Sequence, residues 1–336
     1  MNFTTTTDVN VFAVLLIGLL FHAGWRLLDL LIDAVVWLAS LARGRPVPKA
    51  PLVLLALAAF ALTAGSARAQ APNDPYFPSQ WGLQLIRVPE AWDVTTGSAA
   101  VHIAQFDTGV FAHEDLTENV LVEPAPPPFS ALGTWHAGVI AADTNNGLGI
   151  AGVCQHATLH AYRVIWSEEH LAEAFALAES TPAKIGVTGY ALLGWHARRE
   201  FDAVLDGFSA GGERILICPA GTNFAGGQKI RGPSDNRLLV VGACNLDGTR
   251  ASYSNFGPKV DLWAPGHATT TVEGGYGATD STAVATAYVA GVAGLVGAAN
   301  PALTGRGIKD ILILTAQPMA CGPVVDARAA VDAAGP

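Results

Sequence analysis

A few polar residues stand where segments begin or end, and their types could support nucleophilic chemistry. The stretch GATDSTAVATAYVAG (277–291) has the small residues with which some hydrolases open a packed helix and present a reactive serine, and Ser281 and Thr282 are its hydroxyl residues. The apolar run AAVHIAQFD (99–107) ends in Asp107. A hydroxyl that attacks a carbonyl needs a histidine as base, a carboxylate that orients it and an oxyanion donor. These residues therefore predict acyl transfer only if a histidine and a donor join them.

The elements that must position these residues follow from a regular alternation along the chain. Apolar, β-rich runs predict strands over 99–107, 157–165, 184–190, 214–223 and 237–245. Longer segments of small or amphipathic character predict helices over 133–142, 167–180, 198–208, 281–300 and 307–316. Such alternation predicts an α/β, three-layer fold, with a mostly parallel central sheet and helices on both faces. In such sheets the functional residues lie beyond the carboxyl ends of the strands, where Asp107, Thr222 and Asn223 are placed.

Six segments, in order, resemble the subtilisin-like serine peptidases. AQFDTGVFAHEDL resembles the segment of the catalytic aspartate, and ALGTWHAGVIAA resembles the motif H-G-T-H-V-A-G. NNGLGIAGV resembles the loop behind that helix, and ILICPAGTN resembles the strand and turn of the oxyanion asparagine. ASYSNFGPKVDLWAPG resembles the S-N-x-G…A-P-G segment, and the stretch at 277–291 resembles G-T-S-M-A-T-P-H-V-A-G. The resemblance implies a subtilisin-like domain over residues 70–336.

The resemblance also implies where the catalytic residues should stand, and this sequence departs from the family at three of those positions. The carboxylate is present as Asp107. Leu132 stands in place of the histidine, Ala283 in place of the serine, and Thr222 in place of the oxyanion asparagine, with Asn223 one residue late. Leucine accepts no proton and alanine has nothing to attack with. We therefore expect a catalytically inactive pseudopeptidase that acts by binding a peptide or protein partner.

Two alternatives remain open from the sequence. A working endopeptidase could use relocated residues, with His136 as base, Ser281 or Thr282 as nucleophile and Asn223 as donor, although a displacement of around 1 Å can cost a hundredfold in rate. His136 lies one helical turn after Leu132. Without such a role, we expect Asp107 to be held by backbone N–H groups and His136 to be a satisfied core histidine. The third reading is a structural part of a membrane assembly.

The segment DTNNGLG resembles a family loop that binds calcium in some members. Asp143, Asn145 and Asn146 are the candidate ligands, and a plain turn is the alternative. His113 and Asp115 are expected to form a structural turn rather than a metal pair. No other cofactor is predicted.

The first 69 residues differ in character from the rest of the chain. Residues 1–49 combine an uncharged run with a basic linker and predict a transmembrane segment. Residues 50–69 have the apolar middle and small-residue exit of a secretory signal, or form a second span. Both readings place the globular domain outside the cytoplasm, in the periplasm or the extracellular space, with the membrane as a partner. The net charge of -9 excludes a sequence-independent grip on nucleic acid.

The chain has four cysteines, which are too few for a disulfide scaffold. They are Cys154, Cys218, Cys244 and Cys321. Export would permit zero, one or two bridges, and buried free thiols are the interpretation that we favour.

Overall fold

A computed structural model describes residues 71–123, 126–165, 167–192, 199–223, 226–230 and 235–335. The transmembrane and signal-like segments predicted over 1–49 and 50–69 lie outside these described residues.

The described residues form one nine-stranded sheet and a separate two-stranded hairpin. The strands are β1 (His102–Asp107), β2 (Val120–Val122), β3 (Thr158–Arg163), β4 (Ile185–Thr188), β5 (Ile215–Pro219), β6 (Leu238–Cys244), β7 (Leu262–Pro265), β8 (His267–Val272), β9 (Gly275–Asp280), β10 (Gln317–Met319) and β11 (Gly322–Val324). The order in the large sheet is β10-β11-β7-β6-β5-β4-β1-β3-β2. All of its pairs are parallel except β10 with β11. The hairpin consists of β8 and β9.

Helices cover both faces of the sheet. They are α1 (Trp81–Leu85), α2 (Val88–Trp92), α3 (Leu132–Ala141), α4 (Glu168–Glu179), α5 (Arg199–Ser209), α6 (Thr282–Ala299), α7 (Gly305–Leu314) and α8 (Ala327–Ala334). One core lies between the sheet and α3, α6 and α8. The other lies under α4 and α5, where the Phe106, Phe175 and Phe208 rings pack together. The predicted three-layer α/β fold is confirmed.

Helix α6 is the central element of the first core. It is the helix, within the described ranges, that is long and apolar enough to cross a membrane by length and composition. However, 78% of its apolar window is buried inside the domain. This burial is ordinary for the core helix of a layered α/β protein.

The predicted elements agree with the structure to within a few residues, but several short ones are absent from the prediction. Strands β2, β10 and β11 have three residues each, too few to display a hydrophobic period. Strand β9 (GYGATD) has no buried residue, so its sequence lacks the alternation of a half-buried strand. Helix α7 begins two residues earlier than predicted, because Thr304 caps it by accepting a hydrogen bond from Gly307 N–H.

Candidate functional site

Asp107 ends β1 at the carboxyl edge of the sheet and is almost fully buried. Its Oδ1 accepts a hydrogen bond from Thr108 N–H at 2.8 Å, and its Oδ2 lies 2.7 Å from Nδ1 of His136. Gly189 permits this arrangement, because a Cβ at that position would lie 2.4 Å from Oδ2. A backbone N–H group holds Asp107 as expected, and the histidine one turn into α3 is a second partner.

His136 is a buried histidine that is satisfied at only one of its ring nitrogens. Its side chain is 4% exposed, and Nδ1 bonds to Asp107. Its Nε2 is enclosed and has no hydrogen-bond partner among the described residues. The expectation of a fully satisfied core histidine is therefore corrected. The orienting half of an acid–base pair is assembled, and the half that would face a nucleophile is not joined to any described hydroxyl.

Leu132 is the first residue of α3, at the position where the resemblance places the general base. It is 38% exposed, and its backbone N–H is 3.4 Å from Ser130 Oγ. The preceding residue, Ala131, gives the helix no side-chain cap. An apolar, partly exposed side chain thus stands at the start of α3 and offers no group that could accept a proton.

The start of α6 holds the two candidate hydroxyl residues, Ser281 and Thr282, and the alanine that follows them. Ser281 is the N-cap, and its Oγ accepts a hydrogen bond from Val284 N–H at 3.0 Å. Thr282 is buried, and its Oγ1 lies 3.2 Å from Oγ1 of Thr222. Ala283 is partly exposed. Both hydroxyls are therefore engaged locally, and neither meets Nε2 of His136.

The turn after β5 brings Thr222 against the first turn of α6. Thr222 Oγ1 accepts a hydrogen bond from the backbone N–H of Thr282 at 3.2 Å. The backbone N–H of Asn223 donates to the carbonyl of Tyr253 at 2.7 Å. A helix N-terminus offers its free N–H groups to an anion. Here Thr222 already occupies one of these donors.

Three partly exposed apolar side chains lie near the carboxyl ends of β1 and β3, and we call them the apolar rim: Phe129, Leu132 and Ile165. They are 52%, 38% and 43% exposed, respectively. The guanidinium of Arg163 lies 5.1 Å from the centre of the Phe129 ring. Tyr190, after β4, donates its hydroxyl proton to the carbonyl of Val164 at 3.0 Å, and burial raises the pKa of this phenol. The phenol is therefore neutral.

The predicted calcium loop divides into two environments. Asp143 accepts hydrogen bonds from the backbone N–H groups of Thr117, Glu118 and Asn119, so its oxygens serve that turn. Asn146 donates to Oδ1 of Asp115 at 2.8 Å. His113 uses both ring nitrogens within the fold, toward Asp115 N–H and the carbonyl of Gly275. No group of three or more His, Cys, Asp or Glu that could hold a metal was found in the described part of the chain.

Two carboxylates beside Asn146 were not predicted as ligands. Asp74 Oδ2 accepts a hydrogen bond from Asn145 N–H, whereas its Oδ1 is buried and lacks a partner within the described ranges. Burial raises the pKa of Asp115 to about 6, and the charges of Asp74 and Asp143 add to the rise. Two carboxylates in this setting fit a hard cation better than Asp143 does. In the sequence, the only indication of these ligands is the carboxylate of Asp115 in the segment HEDL, which is predicted to form a turn.

The fold and the order of the segments define a subtilisin-like peptidase domain. The sequence model of the subtilase family, peptidase S8, matches residues 98–332. The chain belongs to this family.

Known proteins similar to the chain are peptidases. Thermitase from Thermoactinomyces vulgaris is 33% identical over 244 residues, which are 67% of this chain and 85% of thermitase. The extracellular protease of Xanthomonas campestris pv. campestris is 27% identical over 336 residues, covering 78% of this chain but 57% of that protein. Among solved structures, a protease from Pseudoalteromonas arctica superposes with a TM-score of 0.67 at 24% identity, covering 79% of this chain and 100% of the other. This last likeness supports the fold alone.

Proposed function

We propose that this subtilase domain is a catalytically inactive pseudopeptidase that acts by binding a peptide or protein partner. The observation that carries the proposal is the joint replacement at the starts of two helices. Leu132 opens α3 where a general base is expected, and Ala283 lies in the first turn of α6 where a nucleophile is expected. Each missing group alone lowers peptidase rates by several orders of magnitude. The neighbouring hydroxyls are engaged in capping and in the contact with Thr222.

The apolar rim supports a binding role for the surface around the starts of α3 and α6. Exposed apolar side chains that cluster near a cleft are typical of surfaces that bind peptides or proteins. Arg163, which lies over Phe129, adds a positive charge beside the rim. We therefore propose that this surface binds an extended segment with an apolar side chain.

Inactivity is tested with a serine-directed fluorophosphonate probe on the purified full chain, with thermitase as the positive control. We expect labelling of thermitase and none of this chain. Stoichiometric labelling that maps to the start of α6 would refute inactivity.

Binding is tested with an immobilised library of apolar peptides. We expect Ala283→Trp, which places a bulky side chain at the start of α6, to lower retention at least tenfold. Leu246→Trp is the matched control, because Leu246 is 60% exposed and does not belong to the rim. If both variants retain peptides equally, the start of α6 is not part of the binding surface.

A peptidase with relocated residues is the second candidate, favoured by the 2.7 Å contact between His136 and Asp107. It predicts that His136→Ala abolishes turnover of a denatured protein substrate, whereas Leu132→Ala does not. Absence of turnover at high concentrations of the wild-type chain removes this candidate.

We also propose that the domain is exported and tethered through residues 1–69. The uncharged runs and the basic linker of that segment support export. Protease accessibility in spheroplasts tests it: the domain should be digested from outside while a cytoplasmic marker survives. Protection of the domain until the cells are lysed would place it in the cytoplasm.

Finally, we propose that Asp74 and Asp115 hold a calcium ion beside Asn146, whose Oδ1 accepts a hydrogen bond from Leu148 N–H. The enclosed, unpartnered Oδ1 of Asp74 supports this donor set over Asp143. The ion would supply the positive charge that these carboxylates lack, and its role would be structural.

A further inference from the structure

Two of the four cysteines lie where distant parts of the chain meet. Cys244 is the last residue of β6, and Cys321 lies in the turn between β10 and β11. The backbone N–H of Cys321 donates to the carbonyl of Gly248 at 2.9 Å. Gly248 has φ near +74°, and a Cβ there would lie 2.9 Å from Sδ of Met319. The tip of the β10–β11 turn is therefore seated closely on the turn that follows β6.

The side chains of this pair meet in the same place. Cys244 and Cys321 are in side-chain hydrogen-bond contact, which raises the pKa of Cys244 and lowers that of Cys321. Cys244 is buried, whereas Cys321 is partly exposed. The other two thiols differ in kind: Cys154 and Cys218 are fully buried, and burial raises the pKa of each.

We propose that Cys244 and Cys321 form a disulfide that joins the end of β6 to the β10–β11 turn when an external disulfide acts as oxidant. That oxidant is a small-molecule disulfide or the disulfide form of a thiol–disulfide oxidoreductase. The geometry points to this pair among the four thiols, because the Cys321 N–H bond to Gly248 joins the two segments that carry them and Cys321 is partly exposed. Adjacent thiols in an exported protein are the usual substrates of such oxidants.

The exchange begins at the accessible sulfur. Cys321 Sγ, having lost its proton to solvent, attacks one sulfur of the external disulfide, so that bond breaks and one thiolate leaves. Cys244 then loses its proton and attacks Cys321 Sγ in the mixed disulfide, which expels the second thiolate. Two cysteine thiols are oxidised, two protons are released, and the external disulfide is reduced to two thiolates.

The cross-link would close a long segment of the domain. Strands β7, β8 and β9 and helices α6 and α7 all lie between the two cysteines. Closing a loop of this length restricts the unfolded chain, so the melting temperature of the oxidised protein should rise by roughly 10 °C.

The test uses the purified full chain in detergent, equilibrated with mixtures of oxidised and reduced glutathione. Remaining thiols are alkylated in denaturant, and the unreduced digest is mapped by mass spectrometry. We expect a monomer with one cross-linked peptide pair, Cys244 with Cys321, that lacks two hydrogens, while Cys154 and Cys218 are alkylated. The melting temperature should rise on oxidation and return on reduction.

Matched variants separate this pair from the other thiols. Cys244→Ser and Cys321→Ser should each lose the redox-dependent melting shift, whereas Cys218→Ala should keep it. Alkylation of both Cys244 and Cys321 at every glutathione ratio would overturn the proposal. So would a stable glutathione adduct on Cys321, or a dimer linked through it. If a variant fails to fold, the peptide map of the wild-type chain decides alone.

Discussion

Helices α3 and α6 are both built from small residues and both start near the carboxyl ends of strands, yet they carry different side chains at those starts. Helix α3 brings a histidine to the buried carboxylate of β1, one turn beyond the leucine at its start. Helix α6 starts with a capping serine, a buried threonine and an alanine, and none of them forms a hydrogen bond with Nε2 of that histidine. The difference indicates that core packing maintains each helix regardless of which side chain occupies the position expected to be catalytic. Chemistry depends on single side chains that packing does not protect.

The largest expected effect is a loss of stability when a buried side chain of α6 is removed. Tyr288 is fully buried, and its hydroxyl donates to the carbonyl of His267. Tyr288→Ala should lower the free energy of unfolding by about 4 kcal/mol, because it leaves a large cavity in the first core. Urea denaturation measures this loss. On the same helix Ala283→Ser should change stability by less than about 0.5 kcal/mol. Similar losses in both variants would show that the start of α6 is as tightly packed as its middle.

The pair of α3 with β1 should give the next effect. His136→Leu should cost about 3 kcal/mol, since it leaves the Asp107 carboxylate buried without its partner. In a background of Asp107→Asn the same change should cost at least about 1 kcal/mol less. A double-mutant cycle by urea denaturation measures this coupling. Additive effects would mean that the 2.7 Å contact contributes nothing to stability.

The fold was predictable because its signals are long and periodic, whereas the site was not. Segments such as 237–245 and 281–300 are apolar over their whole length, so strand β6 and helix α6 were predicted to within one residue at each end. His136 was predicted only as an alternative partner of Asp107, because a motif alignment assigns roles by position and places Leu132 at the position of the base. Only the burial of α3 against β1 brings the residue one turn later within reach.

The ligands that we propose for the calcium loop differ from those expected from the sequence for a related reason. Sequence identifies carboxylates near the loop in the chain, and Asp143 is the nearest. In the fold, Asp143 instead accepts hydrogen bonds from three backbone N–H groups. Asp74 and Asp115 reach the loop from other segments. Contacts between distant segments carry no local pattern, so only the structure identifies them.

The third prediction concerns calcium binding at the loop behind α3. Calcium at about a hundred times its dissociation constant should stabilise the wild-type chain by about 2.7 kcal/mol. Thermal unfolding with calcium, with magnesium and with a chelator measures the increment. Asp115→Asn should abolish it. Asp143→Asn is the matched control. It should lower the stability of the calcium-free protein, because hydrogen bonds are lost, yet the stabilisation by calcium should remain. The same melting temperature with calcium and with chelator would contradict the donor set.

The smallest effect concerns Ser281 and decides how its hydroxyl is used. Its Oγ accepts the hydrogen bond from Val284 N–H, so Ser281→Ala should lower the free energy of unfolding by about 1 kcal/mol and Ser281→Gly by only a few tenths. Chemical denaturation of the two variants gives both values. Ser281→Thr, which keeps an acceptor, should lie near the wild type. The hydroxyl oxygen of a capping serine accepts a hydrogen bond from the first turn of the helix. The helix is destabilised if that hydroxyl turns away toward a substrate. If Ser281→Ala instead leaves stability unchanged, the hydroxyl is free, and the reading of α6 as a packing element without a nucleophile loses its main support.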